Sequence, residues 1–156
     1  MAEVKDLFEE NETDDTMKDQ YLTFTIDEEE YGIKIAYVKE IINMCAITKV
    51  PEMPNYVEGI INLRGELIGV LDVRKRFGKP FKEHDTDTCI IVVVYNEYIL
   101  GFVVDAVQET TIIPEAQIAP PPSAKLNFSN QFIRNIGKVG DDVTLLLDIE
   151  KFLLQE

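Results

Sequence analysis

The sequence predicts a mainly all-β fold made of two small, duplicated barrels, with short helical pieces at the joins. Three observations carry this. First, apolar runs of strand length recur between turn-forming residues, as in "YLTFTI" (21–26) and "CIIVVVY" (89–95), and such runs read as strands. Second, two apolar runs meet at Arg64-Gly65-Glu66 and two more at Gly140-Asp141-Asp142, the pattern of β-hairpins. Third, the chain repeats itself. Gly32-Ile33-Lys34-Ile35-Ala36-Tyr37-Val38-Lys39-Glu40 matches Gly101-Phe102-Val103-Val104-Asp105-Ala106-Val107-Gln108-Glu109, and Val70-Leu71-Asp72-Val73 matches Leu146-Leu147-Asp148-Ile149. The period is about 70 residues, far above solenoid repeats. A five-strand unit of that size favours a closed barrel, because closure removes exposed edges. One such unit buries little by itself, so two should pack together.

The elements follow in order. "YLTFTI" alternates large apolar residues with threonine, and "YGIKI" (31–35) returns after the acidic turn 27–30. "AYVKEII" (36–42) places Val38 with Ile41 and Ile42 at helical spacing, so a helical crossover is expected there. "AITKVP" (46–51) is extended up to its proline. Pro54-Asn55, with Glu58 three residues after the asparagine, resembles a capped helix start. "GIINL" and "ELIGVLD" form the hairpin around Arg64 and Gly65, and "VRKRFG" closes the half at Gly78. In the second half "CIIVVVY" and "YILGFVV" pair across Asn96-Glu97. "DAVQE" (105–109) is expected as a short helical turn and "TTIIP" as extended chain. "FIRNIGKV" and "VTLLLDI" make the last hairpin, and "DIEKFLL" a final helix. The expected division is an acidic tail at 1–19 and a folded unit at 20–154. Within that unit lie a first barrel over about 20–80, joined by the C-terminal end, a second over about 88–148, and a helix at 148–155.

Composition narrows the function. The formal net charge of −14 argues against nucleic acid, which needs a basic footprint, and against anionic membrane surfaces. No apolar run of about 18 residues is present to span a membrane. The start, "MAEVKDLFEENETDD", lacks the apolar centre of a secretory signal, so a cytoplasmic location is expected. Residues 1–20 hold eight acids and two lysines, the composition of a solvated arm. Cys45 and Cys89 lack metal-site spacing and read as free thiols.

No catalytic constellation emerges, and the chain reads as a non-enzyme without a cofactor. The single histidine, His84, lies in the polar linker 78–88, a poor scaffold for a triad. The segment "EHDTD" (83–87) offers oxygens and one imidazole, so a metal-dependent enzyme is the rival from another class; a solvated acidic loop is the plainer reading. Pro120-Pro121-Pro122 is stiff extended chain, either a connector or a ligand for an aromatic groove. Ile35, Val38 and Ile41 make an apolar stripe on the crossover, and Val107 occupies the matching place in the second half. Such a stripe lines a groove for a partner helix or simply caps one barrel; the residues leave both open. Arg64, held on a tight turn by Gly65 after Asn62, is placed to reach a carboxylate without losing its own order.

The runs "EYGIKIAYVKEII", "ITKVP", "VEGIINLRGELIGVLDVRKRFG" and "GFVVDAVQE" resemble the CheW family of chemotaxis coupling proteins over residues 20 to 154. Valine stands where leucine is usual in the segment "VLDVRKRFG". The resemblance implies two intertwined five-stranded SH3-like barrels and a non-catalytic adaptor that is monomeric when free. Its implied partners are the regulatory domain of the histidine kinase CheA and the cytoplasmic tips of methyl-accepting chemoreceptors, which recruit it to membrane-associated arrays. Implied receptor-facing positions are Leu22, Ile35, Val38, Ile41 and Val107. Implied kinase-facing positions are Ile47, Thr48 and Gly59. Glu40 becomes the candidate carboxylate for Arg64. A CheW-like module serving another two-component or motility pathway is the neighbouring alternative.

Overall fold

The computed structural model describes residues 18–121 and 131–154. The strands are β1 (Gln20–Ile26), β2 (Glu29–Lys34), β3 (Val38–Asn43), β4 (Val57–Leu63), β5 (Glu66–Asp72), β6 (Cys89–Tyr95), β7 (Tyr98–Val104), β8 (Ala106–Ile112), β9 (Ile118–Ala119), β10 (Ile133–Val139) and β11 (Asp142–Leu147). Short helices follow at Val73–Arg76 and Ile149–Leu154, and 3-10 turns at Ile35–Tyr37 and Glu115–Gln117. The fold is all-β with short helices, as expected.

The strands form two sheets, in the orders β8-β1-β2-β11-β10-β9 and β3-β6-β7-β5-β4. Each half of the duplication gives its first two strands to one sheet and its later strands to the other. The contiguous barrel ranges 20–80 and 88–148 therefore do not describe the sheets. Periodicity fixes a strand's faces but is silent about which sheet it joins. The duplication itself is exact in register where it was read. Gly32 stands opposite Leu146 in the parallel pair of β2 with β11, and Gly101 opposite Val70 in that of β7 with β5. A side chain at Gly101 would place its Cβ 2.8 Å from Ile90 Cγ2, so both crossings need the close approach that glycine gives.

Packing follows the pleat. On β6, Ile90 and Val92 point into the second sheet's own interior with Ile61, Ile68, Val70 and Val103. Ile91 and Val93 point the other way, into a core shared between the sheets with Leu22, Phe24, Tyr31, Phe102, Phe132 and Phe152. Buried on both faces, β6 has no polar alternation, which explains its unbroken apolar run. Each such side chain contributes about 1.5–3 kcal/mol by leaving water.

Three helical expectations fail. Residues 38–43 are strand β3, and only Ile35–Tyr37 turns helically. Residues 54–56 form a turn closed by Val57 N–H donating to the Pro54 carbonyl at 3.0 Å, with β4 starting at Val57. Residues 106–112 are strand β8. In each case β-branched residues find a pairing strand, and sheet pairing overrides a helical spacing that short apolar runs also satisfy.

Candidate functional site

The hairpin of β4 and β5 turns through two residues, with Leu63 opposite Glu66. Arg64 and Gly65 both have positive φ, 53° and 87°, the conformation a two-residue turn of this hand requires. Asn62 holds it, its Oδ1 accepting from Gly65 N–H at 2.9 Å. From this tip Arg64 reaches across the barrel mouth to Glu40 on β3, and the two form a hydrogen-bonded ion pair. The carboxylate raises the Arg64 pKa, first by accepting its hydrogen bond and then through its charge. Lys39 Nζ lies 3.9 Å from Glu66 Oε1 beside it. The tip is thus tied to β3 by two charge pairs.

The apolar stripe runs along the same strand. Ile35 and Val38 are half-buried against the shared core, and so is Val107 on β8. Val38 pairs with Val93 on β6, and Val107 with Phe24 on β1. These are equivalent places on the strands that begin the two sheet orders. Ile41 is 44% exposed. Leu22 differs: at 4% exposure it belongs to the shared core. It supports this face from beneath and does not line it.

Ile47, Thr48 and Gly59 meet at the seam where the chain beyond β3 closes onto β4 in the five-stranded sheet. Thr48 N–H donates to the Ile60 carbonyl at 2.9 Å and Ile60 N–H donates to that of Thr48 at 2.8 Å, bringing the chain beyond β3 onto β4. Gly59 sits at the register shift with φ 145°. A Cβ there would lie 2.1 Å from the Thr48 carbonyl oxygen, so the seam demands glycine. Ile47 packs on the inner core while Thr48 is exposed.

The matched family model is the CheW-like domain, over residues 20–156. The chain belongs to the CheW family. "Chemotaxis protein CheW" of Helicobacter pylori is 34% identical over 162 residues, 99% of this chain and 98% of that protein. "Chemotaxis protein CheW" of Klebsiella aerogenes is 32% identical over 142 residues, 91% and 86% of the two chains. The crystal structure of the scaffolding protein TtCheW from Thermoanaerobacter tengcongensis superposes with TM-score 0.80 at 36% identity, covering 87% of this chain and 92% of that one. This CheW-like domain is therefore of the scaffold type found in chemotaxis.

Within the CheW-like domain the structure also shows a polar hub that the sequence reading missed. Arg74, in the short helix after β5, donates to Asp27 Oδ1 at 2.6 Å and Asp105 Oδ2 at 2.8 Å. Its other nitrogens donate to the Pro80 carbonyl at 2.8 and 3.1 Å. Asp27 N–H also donates to Asp105 Oδ2, at 2.7 Å. The Arg74 hydrogen bond, above all, holds the Asp27 carboxyl below its ordinary range. The hub joins the β1–β2 turn, the end of β7 and the linker, three places distant in sequence. The segment 83–87 has a simpler use. Asp85 Oδ1 accepts from Asp87 N–H at 2.8 Å and Thr88 N–H at 3.2 Å, an Asx turn. Among the described residues, no group of three or more His, Cys, Asp and Glu side chains is placed to hold a metal.

Proposed function

We propose that this CheW-like scaffold couples the cytoplasmic tips of chemoreceptors to the regulatory domain of the histidine kinase CheA, and that it does so without catalysis. The reading places it in the cytoplasm, carried to membrane arrays by its partners; among the described residues no helix is long and apolar enough to cross a membrane. The observation that carries it is the gathering of Ile35, Val38 and Val107, from both halves of the duplication, around one core, with Ile41 exposed on the strand that carries Glu40 of the Arg64–Glu40 pair. An apolar strip with a fixed charge at its side suits an amphipathic receptor helix, whose anchors need a dry seat and whose polar flank needs orientation. In this reading the seam at Ile47, Thr48 and Gly59 offers a separate, rigid face to the kinase.

Isothermal titration against a receptor-tip fragment tests the receptor half. The wild type should bind, and Val38→Asp should abolish the heat with the circular dichroism spectrum unchanged, since an unpaired carboxylate cannot be seated in an apolar contact. Undiminished binding by a folded Val38→Asp protein contradicts the proposed face.

A further inference from the structure

In a chain with 29 acidic and 15 basic residues, Lys39, Arg64, Arg74, Lys75, Lys79 and Lys82 each lie against a carboxylate. Lys34 and Arg134 belong to the group of cations that make no ion pair within 4.0 Å among the described residues. Both are exposed. They line one cavity of about 400 Å³ together with Lys18, whose floor includes Ile118, Leu146 and Leu147. Asp19 and Glu115 also line it, leaving three cations against two carboxylates. The cavity is therefore the reverse of the molecule around it, a locally basic seat with apolar ground.

Lys18 and Asp19 are wall residues of this cavity, so the chain of residues 1–17 leaves from its rim. That segment carries Glu3, Asp6, Glu9, Glu10, Glu12, Asp14 and Asp15 against Lys5 alone, with Leu7-Phe8 among them. Reach is not limiting: the ten residues from Phe8 to Met17 span up to about 33–36 Å when extended. Charge of the opposite sign, a pair of large apolar residues and an attachment point at the rim are all present.

We propose that the cavity between Lys18, Lys34 and Arg134 is an intramolecular docking site for the acidic segment 1–17 of the same chain. The carboxylates face Lys34 and Arg134, and Leu7-Phe8 cover Ile118 and Leu147. Because Lys34 directly precedes Ile35, the docked segment lies beside one end of the apolar stripe. The inference does not depend on what binds that stripe.

The test uses the full chain with a nitroxide on Asn11→Cys in a Cys45→Ser background, which removes the exposed native thiol. The account expects selective broadening of the amides of Ile118, Asn135 and Leu147 at low salt. That broadening should be lost when NaCl rises from about 0.1 M to about 1 M, which shortens the screening length from about 10 Å to about 3 Å. It should also be lost in Lys34→Glu/Arg134→Glu, with the melting temperature checked to show the fold intact. Broadening that is absent, spread evenly over the surface, or indifferent to charge reversal overturns the proposal. So does broadening transferred from labelled to unlabelled copies in a mixture, which would place the segment on a second molecule.

Discussion

At the scale of single residues, two glycines on β4 and its turn show how local geometry decides cost. Gly65 has φ 87° but open space around its Cα, whereas Gly59 has φ 145° and a carbonyl oxygen 2.1 Å from any Cβ. Gly65→Ala should therefore cost about 1–2 kcal/mol, the penalty of left-handed backbone alone. Gly59→Ala should cost more and should open the Thr48–Ile60 bridge, seen as faster amide exchange at both residues in native-state hydrogen exchange. Equal stabilities for the two variants would contradict this. The Arg74 hub makes a second prediction. Arg74→Ala removes the closest cation from Asp105, which is 8% exposed at its side chain, leaving it the Asp27 N–H at 2.7 Å and Lys82 Nζ at 3.8 Å, so the loss should fall below the roughly 3–5 kcal/mol of a buried charge left with no partner. Urea unfolding measures it directly.

The same hub sets an acid dependence. Asp27 has its pKa lowered in the fold by Arg74, so its contribution is present above the unfolded value of about 3.9 and is lost as pH falls through the folded one. Asp72 runs the opposite way. Burial, first among its causes, raises its pKa, so its contribution is complete below about 3.9 and disappears as pH rises through the raised value. Asp27→Asn should therefore destabilise at neutral pH and approach the wild type in stability as pH falls through the lowered folded-state value. A difference that stays constant across that range would remove Asp27 from the acid response.

At the scale of elements, β-strands and hairpins were legible because alternation and turn chemistry are local. The Arg64–Gly65 turn and the Gly140 turn needed only neighbouring residues to be read. The stretches 36–42, 54–60 and 105–109 were misread as helical: in the first, Val38, Ile41 and Ile42 satisfy a spacing of three and four residues, and in the second, Pro54-Asn55 with Glu58 imitates a capped helix start. What decided them was pairing with β6, β5 and β1, which no short window contains. The Arg64–Glu40 contact was reachable only through the family resemblance, since 24 residues separate the partners. Leu22 was placed on the surface by the same route, although its partners on both sides bury it. The Arg74 hub was missed because its carboxylates lie 47 and 31 residues away, and "VRKRFG" by itself reads as a solvated basic turn.

At the scale of the whole molecule, the exchange of strands makes the two barrels interdependent. Neither half contains a complete sheet, and the shared core takes Phe24 and Tyr31 from one half, Phe102, Phe132 and Phe152 from the other. Unfolding should consequently be a single cooperative transition, with fluorescence of the tyrosines and far-ultraviolet circular dichroism giving coincident urea midpoints. Two separated transitions would show that the barrels stand alone. A rigid, undivided body also suits a scaffold, which must hold two partners at a fixed distance.

The most direct test of that scaffold role is co-sedimentation of the full chain with a receptor-tip assembly and the CheA regulatory domain, repeated with Val38→Asp and with Thr48→Arg. The account predicts that the wild type carries both partners into one complex, that Val38→Asp loses the receptor and keeps the kinase domain, and that Thr48→Arg does the reverse. If folded variants lose both partners together, or neither, the two faces are not where this account puts them.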